Sequence, residues 1–585
     1  MRHSRVVAMT TGSAVVLAAI WLALPLMGSD LAAQVARADF FAAHGLTPVD
    51  LRWYAGVQQF GYSLLSQPVM ALLGVRVTGA LALVASAAAL AALLVRAEVP
   101  RPLLGSLVGV VTLAGNLVSG RVTYALGVAF GLAALLALTR VPGRGRGRLV
   151  LAAVAALLAS ATSPVAGLFV GLAGVALLLT RRYADGLALG VAAALPLAAT
   201  AVLFGDGGWM NISRTDAVRA VVTSLVVAVL VAYRPVRFGA LLSAAGVLAA
   251  AVVHTPVGLN ATRLVTMFAL PVLAAAAHPP AWLSDRLARR SAARATPTSA
   301  TPTSATPTSA TPTSATPASA TPTSATPASA TPTSAAPTSA AAARAAAAGR
   351  SRWARLRGGV GLTALLVAVC AWQPPAVPAD LRGIGDPTSA PGYHAPLRAF
   401  LAGQRLTGRV EVPPTRNYWE AARLGEVPLA RGWLRQADID RNPLFFTTVP
   451  GAAGTGAPLT PSTYRAWLAE NAVQYVALPD APLSWVGRAE AELVEGGLPY
   501  LTPVWSGPHW RVWAVADPTP LVAAPAELIR VDGAAVTFRA PTAGPVAVRV
   551  RHSRWLVASG DATVTADGDW TTVTVPRPGE YTLGS

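Results

Sequence analysis

Lysine is absent from this 585-residue chain, so all 46 basic residues are arginine. Without lysine there is no GxxxxGK[ST] loop to cradle nucleotide phosphates, and ATP-driven transport has no support. With abundant Ala, Gly and Pro, the bias points to a GC-rich bacterial genome rather than to chemistry. One cysteine, Cys370, excludes an intrachain disulfide and any CxxC pair. It lies inside an apolar run and reads as an inert, buried thiol. The 7 histidines are scattered, there is no HExxH, and no G-x-S-x-G has plausible triad partners. Zinc hydrolysis is unsupported, and no metal-ligand set can be named.

Charge is scarce too, at 12% of residues, and its balance of +19 suggests nucleic acid until it is divided along the chain. Residues 1–372 hold 28 arginines and 8 acids, whereas residues 373–585 hold 18 and 19. The excess belongs to the apolar half, where topology accounts for it, so a nucleic-acid partner is not supported.

What fills the chain is hydrocarbon: 53% of residues are hydrophobic and mean hydropathy is +0.50. Apolar runs of 15 to 20 residues recur through the first 280 positions. About 20 residues at 1.5 Å rise cross a ~30 Å hydrocarbon layer, so these runs read as transmembrane helices. Val6 to Met27 follows "MRHSR" without a convincing cleavage site and reads as a signal anchor. Further spans fall near 77–95, 103–119, 123–139, 149–162, 165–180, 186–205, 217–233, 238–254, 261–277 and 358–373. Leu149 to Thr180 would be roughly 48 Å long as one helix. Ser163-Pro164 breaks it, and "RVPGRGRGR" and "RRY" on either side demand two crossings if both face the cytoplasm.

That makes a polytopic α-helical membrane protein of about eleven spans. With the N-terminus inside, 21 of the 28 arginines in residues 1–372 fall on the cytoplasmic side, as the positive-inside rule requires. The expected location is the plasma membrane. The loop after Met27 and everything beyond residue 373 are then extracytoplasmic.

The expected domains are a helical membrane domain at 1–280, a cytoplasmic loop at 281–357 and a last span at 358–373. An extracytoplasmic α/β region follows at 374–526, and a small β-sandwich ends the chain at 527–585. The loop contains nine ATPTS-like pentads from Ala295 to Ser339. Proline at every fifth position forbids regular helix, so the tract reads as a disordered spacer, with slippage of tandem DNA its simplest origin. In the tail, "PSTYRAWLAENAVQYVALP" reads as helix then strand. "AAVTFRA", "VAVRVRH" and "ATVTADGDWTTVTV" alternate with period two, the last around a hairpin turn at Asp567-Gly568.

Ionisable groups inside spans, the usual mark of a transporter, are nearly missing. Acids collect at the outer surface instead: Asp30, Asp39, Asp50, Asp206 and Asp216, beside Arg37, Arg52, Arg121, Arg214 and Arg263. Arginine grips phosphate through a fork of donors, and a carboxylate serves as base or metal ligand. The set suits a substrate with a phosphate head and a lipid tail. Asp30, Gln34 and Arg37 share one helix face, while Asp39 lies about 900° further on, on the opposite face. Simpler roles stand beside these. Ser29-Asp30 is good N-cap chemistry, Arg121 and Arg263 suit anchoring in lipid headgroups, and Trp53, Tyr54 and Trp209 suit an interfacial belt.

"GSDLAAQVARADFFAAHGLTPVDLRWYAGVQQFGYSLLSQPVMALLG" resembles the long first outer loop of GT-C-class polytopic glycosyltransferases, bacterial membrane proteins with an extracytoplasmic C-terminal domain. "GRVTYALGVAFGLAALLAL" and "NATRLVTMFALPVL" are similar to span starts in that group, and "NYWEAARLGEVPLARGWLRQADIDRNPLFF" to a segment of its soluble domains. The resemblance covers most of the chain. It implies sugar transfer from a polyprenyl-phosphate donor to an external acceptor in cell-envelope synthesis, with membrane lipids and the lipid-linked sugar as partners. Asp30 matches the acid after the first span, the implied catalytic base, with Asp39 a second acid of the catalytic set that could bind a metal or the acceptor. Arg121 and Arg263 would hold the lipid phosphate, with Arg37, Arg52, Trp53 and Tyr54 completing the substrate site. The loop lacks a tight acidic dipeptide, which disfavours a divalent-metal cofactor. No protein partner is legible. Competing readings are a secondary transporter or flippase for a lipid-linked substrate, and a non-catalytic scaffold for envelope assembly.

Overall fold

The computed structural model describes residues 3–139, 145–205, 207–278, 359–454 and 456–585. Asp206, the loop at 281–357 and its pentad tract lie outside the described residues.

Helices form at each apolar segment. They are α1 (His3–Ala23), α2 (Leu31–His44), α3 (Gln59–Tyr62), α4 (Ser66–Leu73), α5 (Val75–Arg96), α6 (Pro102–Val118) and α7 (Val122–Ala137). Then come α8 (Gly145–Thr162), α9 (Pro164–Leu179), α10 (Tyr183–Phe204), α11 (Arg214–Leu230), α12 (Arg234–Val252), α13 (Arg263–Ala276) and α14 (Gly359–Trp372). Among the described residues, six are long and apolar enough to cross a membrane: α1, α5, α8, α10, α12, and α13 with the short turn before it. Helices α6, α7, α9 and α14 are shorter and also apolar. Leu81, Val111, Val154, Val191, Val222 and Leu248 point outward and are exposed. A belt of such side chains is stable against lipid and not against water. The chain is a multi-pass membrane protein.

Alanine makes the helix seams narrow: Ala152, Ala156 and Ala159 of α8 pack with Leu189 and Ala193 of α10 without exposure. At Ser163-Pro164 the long apolar run divides, and the Ser163 hydroxyl accepts from the Ala166 amide to cap α9. At one pole, arginines close the carbonyl ends of neighbouring helices. Arg101 Nε donates to the Ala274 carbonyl at 2.8 Å, Arg148 Nη1 to Leu138 at 3.0 Å and Arg237 Nε to Ala228 at 3.0 Å. At the opposite pole the loops bond to the tail, as where Trp555 Nε1 donates to the Leu203 carbonyl and stacks on Phe204. Cys370, expected to be buried, is exposed on α14; a thiol is apolar enough to sit on a helix's outer face.

The tail holds a four-stranded sheet in the order β3-β4-β6-β5, from β3 (Arg409–Glu411), β4 (Val473–Pro479), β5 (Leu501–Gly507) and β6 (Trp510–Val515). Helix α15 (Pro391–Ala402) packs on it through Tyr393 and Leu397, and α16 (Pro461–Glu470), with its Thr460 capping box, runs straight into β4. Beyond residue 526 two sheets face each other. One joins β10 (Val557–Ala558), β13 (Gly579–Gly584), β8 (Ala535–Ala540) and β7 (Glu527–Val531), in that order. The other joins β11 (Thr563–Asp567), β12 (Trp570–Val575) and β9 (Gly544–Arg551). Val536, Phe538, Val548, Val573 and Leu583 fill the space between them.

The first loop is woven into both tail cores. Its hairpin of β1 (Val49–Asp50) and β2 (Val57–Gln58) sends Val49 and Leu51 into the sandwich core. Trp53 and Tyr54 enter the core under α15.

Candidate functional site

Asp30 sits where two turns cross. The chain leaves α1 through Gly28-Ser29 into α2, and Ser119-Gly120-Arg121, between α6 and α7, passes directly against it. Two glycines permit the crossing. At Gly28 (φ +99°) a Cβ would collide with the Ser119 carbonyl group, and at Gly120 (φ +75°) with the Leu31 backbone. The Asp30 amide donates to the Ser119 carbonyl at 3.0 Å and locks the turns together.

Asp30 occupies the N-cap position of α2, but its side chain makes no cap hydrogen bond. The carboxylate is engaged elsewhere. Its Oδ2 accepts from Arg121 Nε at 3.0 Å and meets Arg263 Nη2 at 3.5 Å. The side chains of Asp30, Arg121 and Arg263 are 13%, 23% and 18% exposed, so the pairs are shielded yet reachable. Burial disfavours the charge on Arg121, but Asp30 and Asp380 outweigh it and hold the guanidinium more firmly protonated.

Asp380, which sequence reasoning missed, comes from the short tail helix Pro378–Arg382. It accepts from the Ser29 amide at 3.1 Å and the Ser119 hydroxyl at 2.5 Å, tying both crossing turns to the tail. Its one sequence signal is that it is the first acid after the last apolar segment. Behind Asp30, buried Gln34 accepts from Thr123 Oγ1 at 2.5 Å and donates to the Tyr62 hydroxyl at 3.1 Å. Burial raises the Tyr62 phenol, and the Asp30 charge adds to this against the opposing pull of Arg37 and Arg263, so Tyr62 is a neutral group. Trp433 closes the cluster from the tail, donating from Nε1 to the Ser29 carbonyl at 2.8 Å with its ring edge-on to Tyr62. Neither Tyr62 nor Trp433 carries a local signal.

The structure places the other sequence candidates as follows. Arg37 is 2% exposed, its guanidinium 4.3 Å from the Tyr62 ring centre and 5.7 Å from that of Trp53. Asp39 is exposed, on the far face of α2. Arg52 is consumed by Asp50, through bonds of 3.0 and 2.8 Å, and by the Ala36 carbonyl. Trp53 Nε1 donates to the Ala421 carbonyl and Tyr54 to that of Gly432, and both rings are buried against the tail. Asp216 pairs with Ser213 at the start of α11, and Trp209 stacks on His254 at 4.1 Å.

A cavity of about 800 Å³ opens among α5, α7, α9, α11, α12 and α13. Its walls are mostly hydrocarbon, with Leu90, Val128, Phe169, Val236 and Phe268 among them, and Arg96, Thr139, Arg182 and Tyr233 also line it. Tyr124 is one of its wall residues, and the Arg263 guanidinium lies 5.4 Å from the Tyr124 ring centre. Among the described residues no group of three or more His, Cys, Asp or Glu side chains could hold a metal ion.

The chain matches no sequence-family model and no curated relative. Among solved structures it aligns with arabinofuranosyltransferase AftD from mycobacteria, over 92% of this chain and 41% of that one, at 17% identity and a TM-score of 0.41. A mutant of that enzyme aligns over 88% of this chain and 42% of that one, at 16% identity and a TM-score of 0.42. The chain thus spans about two-fifths of the length of the solved chains it matches. An overlap at this level leaves the functional case to the residues themselves.

Proposed function

We propose that this protein is a GT-C-like glycosyltransferase of the plasma membrane, moving a sugar from a polyprenyl-phosphate donor to an acceptor outside the cytoplasm. The carrying observation is a shielded carboxylate, Asp30, bridged by two arginines, one of which lies against Tyr124, a wall residue of a largely apolar cavity. The cavity's size falls within the roughly 300–1,000 Å³ typical of ligand sites, and its lining suits an isoprenoid chain. The eleven spans expected from the sequence, with the N-terminus inside and the tail outside, would put Asp30 at the outer interface, where the donor's phosphate would lie.

The chemistry follows from the pairing. An arriving phosphate takes hydrogen bonds from Arg121 and Arg263, which releases Asp30. The freed carboxylate removes the proton from an acceptor hydroxyl. The acceptor oxygen forms a bond to the sugar's anomeric carbon while the bond from that carbon to the phosphate oxygen breaks. The lipid phosphate leaves with the electron pair, held by the arginines, and the proton stays on Asp30. Asp380 positions the turns that carry Asp30 and Arg121. Asp39, on the opposite face, takes no part in this step.

A transporter would keep an ionisable group in mid-membrane, whereas the ion pairs here lie at helix ends. The test is sugar transfer in proteoliposomes carrying polyprenyl-phosphoryl pentoses or hexoses, with solute counterflow measured in parallel. Transfer that depends on Asp30 supports the reading. Counterflow without transfer would replace it with the transporter.

A further inference from the structure

Inside the tail, Arg431 is surrounded by three acids, and each of the four side chains is 2% exposed or less. Asp438 takes its Nε and Nη2 at 3.0 and 2.9 Å, and that pair is neutral by itself. Two more carboxyls remain. Glu490 accepts from Arg431 Nη1 and from the Tyr464 hydroxyl, both at 2.9 Å. Glu411, on β3, stands 3.6 Å from the same Nη1. Among the described residues no donor reaches either Glu411 oxygen, yet its carboxyl faces that of Glu490. Two carboxylates cannot bond each other, whereas a carboxylic acid bonds a carboxylate readily. Burial holds both glutamates above the usual carboxylate range, against the opposing pull of Arg431. The other groups facing the pair are Asp438, from the helix Arg435–Arg441, and Tyr464 of α16. Tyr54 of the first loop interacts with Asp438 and Arg431. Burial raises both phenols, so they stay neutral.

Arg431 is also the middle of a short strap that ends at the candidate site. The Leu429 amide donates to the Arg52 carbonyl at 2.8 Å, and the Ala430 amide to that of Val410 at 3.0 Å. The Gly432 carbonyl accepts from Tyr54 at 2.6 Å, and a Cβ at Gly432 would collide with the Trp53 ring. Trp433 then bonds the Ser29 carbonyl, beside Asp30. The strap is therefore fixed to the first loop at both ends and to the acids at its centre.

We infer that Arg431 is a positioning residue for the Asp30 turn, held by a proton that Glu411 and Glu490 share, and that loss of this proton frees Trp433 from Ser29. With the proton present the cluster carries one net negative charge, and without it two. A second carboxylate in low-dielectric surroundings then competes for Nη1. Moving the strap outward lets water reach that charge and carries Gly432 and Trp433 with it. The inference concerns where the turn sits and does not depend on a sugar being the substrate. A carboxyl held protonated in the fold gives stability that is complete below the unfolded value of 4.5. That stability is lost as pH rises through the raised folded value.

The experiment uses the full-length protein in detergent between about pH 5 and about pH 9. Amide hydrogen exchange over residues 28–34 and 429–438, corrected for the chemical effect of pH, is read beside melting temperature. In the parent, opening of both segments should grow by up to about tenfold per pH unit while one proton is being lost. Glu411→Gln cannot ionise and keeps a donor for Glu490, so opening should barely change with pH. Its melting profile should flatten in part, since Glu420 adds a slope of its own. Trp433→Phe should open residues 28–34 at every pH and leave the tail's pH dependence intact. A Glu411→Gln protein with the parental slope overturns the inference. So does a parent in which residues 28–34 ignore pH, whether or not the glutamine variant folds; the proton would then stabilise the tail alone. A pH-dependent turn without sugar transfer keeps this inference and removes the glycosyltransferase. Transfer with a turn indifferent to pH does the reverse.

Discussion

Asp30→Asn should move turnover and donor affinity in opposite directions. Asparagine keeps the side chain's volume and an oxygen facing Arg121, but removes the charge that holds Arg121 at 3.0 Å and Arg263 at 3.5 Å. Breaking a fully buried ion pair costs about 3–5 kcal/mol, and an exposed one contributes ~0–1 kcal/mol. At 13% to 23% side-chain exposure the pair falls between, so a loss of about 1–3 kcal/mol in stability is expected. Loss of a positioned base should slow transfer by roughly 10²–10⁴, equivalent to about 2.7–5.4 kcal/mol of barrier. Donor phosphate would no longer compete with a carboxylate for the two arginines, so affinity should hold or rise by up to about tenfold, ~1.4 kcal/mol. Single-turnover transfer in proteoliposomes, donor binding in detergent and melting temperature separate the three effects. Parental turnover would remove Asp30 from the chemistry. Affinity and turnover falling together with the melting temperature would reduce the carboxylate to a structural brace.

Gly120→Ala should lower the melting temperature and expression yield sharply, by about 1–3 kcal/mol for the positive φ alone, with the collision at Leu31 in addition. Gly45→Ala, with φ +64° and no neighbouring atom within 4 Å, should bear only the backbone strain, and equal losses would refute the crossing-turn argument. In the tail, burial pushes Glu420 up to about 8, so its folded form holds a proton that the unfolded chain releases near pH 4.5. Its stabilising contribution is complete below about pH 4.5 and is lost as pH rises to about 8, and Glu420→Gln should flatten that part of the melting profile. His394 runs the other way: burial lowers it to about 4, and its contribution disappears as pH falls from about 6.5 to about 4. Deleting Ala295 to Ser339 should leave abundance and transfer unchanged, since loop closure changes by only ~0.6 kcal/mol per doubling of length. Cysteine labelling should place that tract inside and residues 400–585 outside.

Local periodicity was enough for much of this molecule. Helices stand where the apolar runs are, the long run divides at Ser163-Pro164, and Asp567-Gly568 joins β11 to β12. The dial of α2 put Asp30, Gln34 and Arg37 on one face and Asp39 on the other, because 3.6-residue geometry needs only neighbouring positions. The partners on that face were beyond its reach. An aspartate at an N-cap either bonds its own helix or is drawn to a cation, and the sequence by itself leaves both open. Tertiary structure brings Arg121 and Arg263 from 91 and 233 residues away, and Asp380 reaches the Ser29 amide from 351. Those contacts shield the carboxylate from water, and in that setting two guanidinia outcompete a backbone amide. For the same reason Trp53 and Tyr54, apt on paper for an interface or a sugar, became core once the tail closed over them. Which polar groups are paired and which, like Arg37 Nε and Nη2, find no hydrogen-bond partner among the described residues is set by what is buried beside them, and burial is a property of the assembled fold.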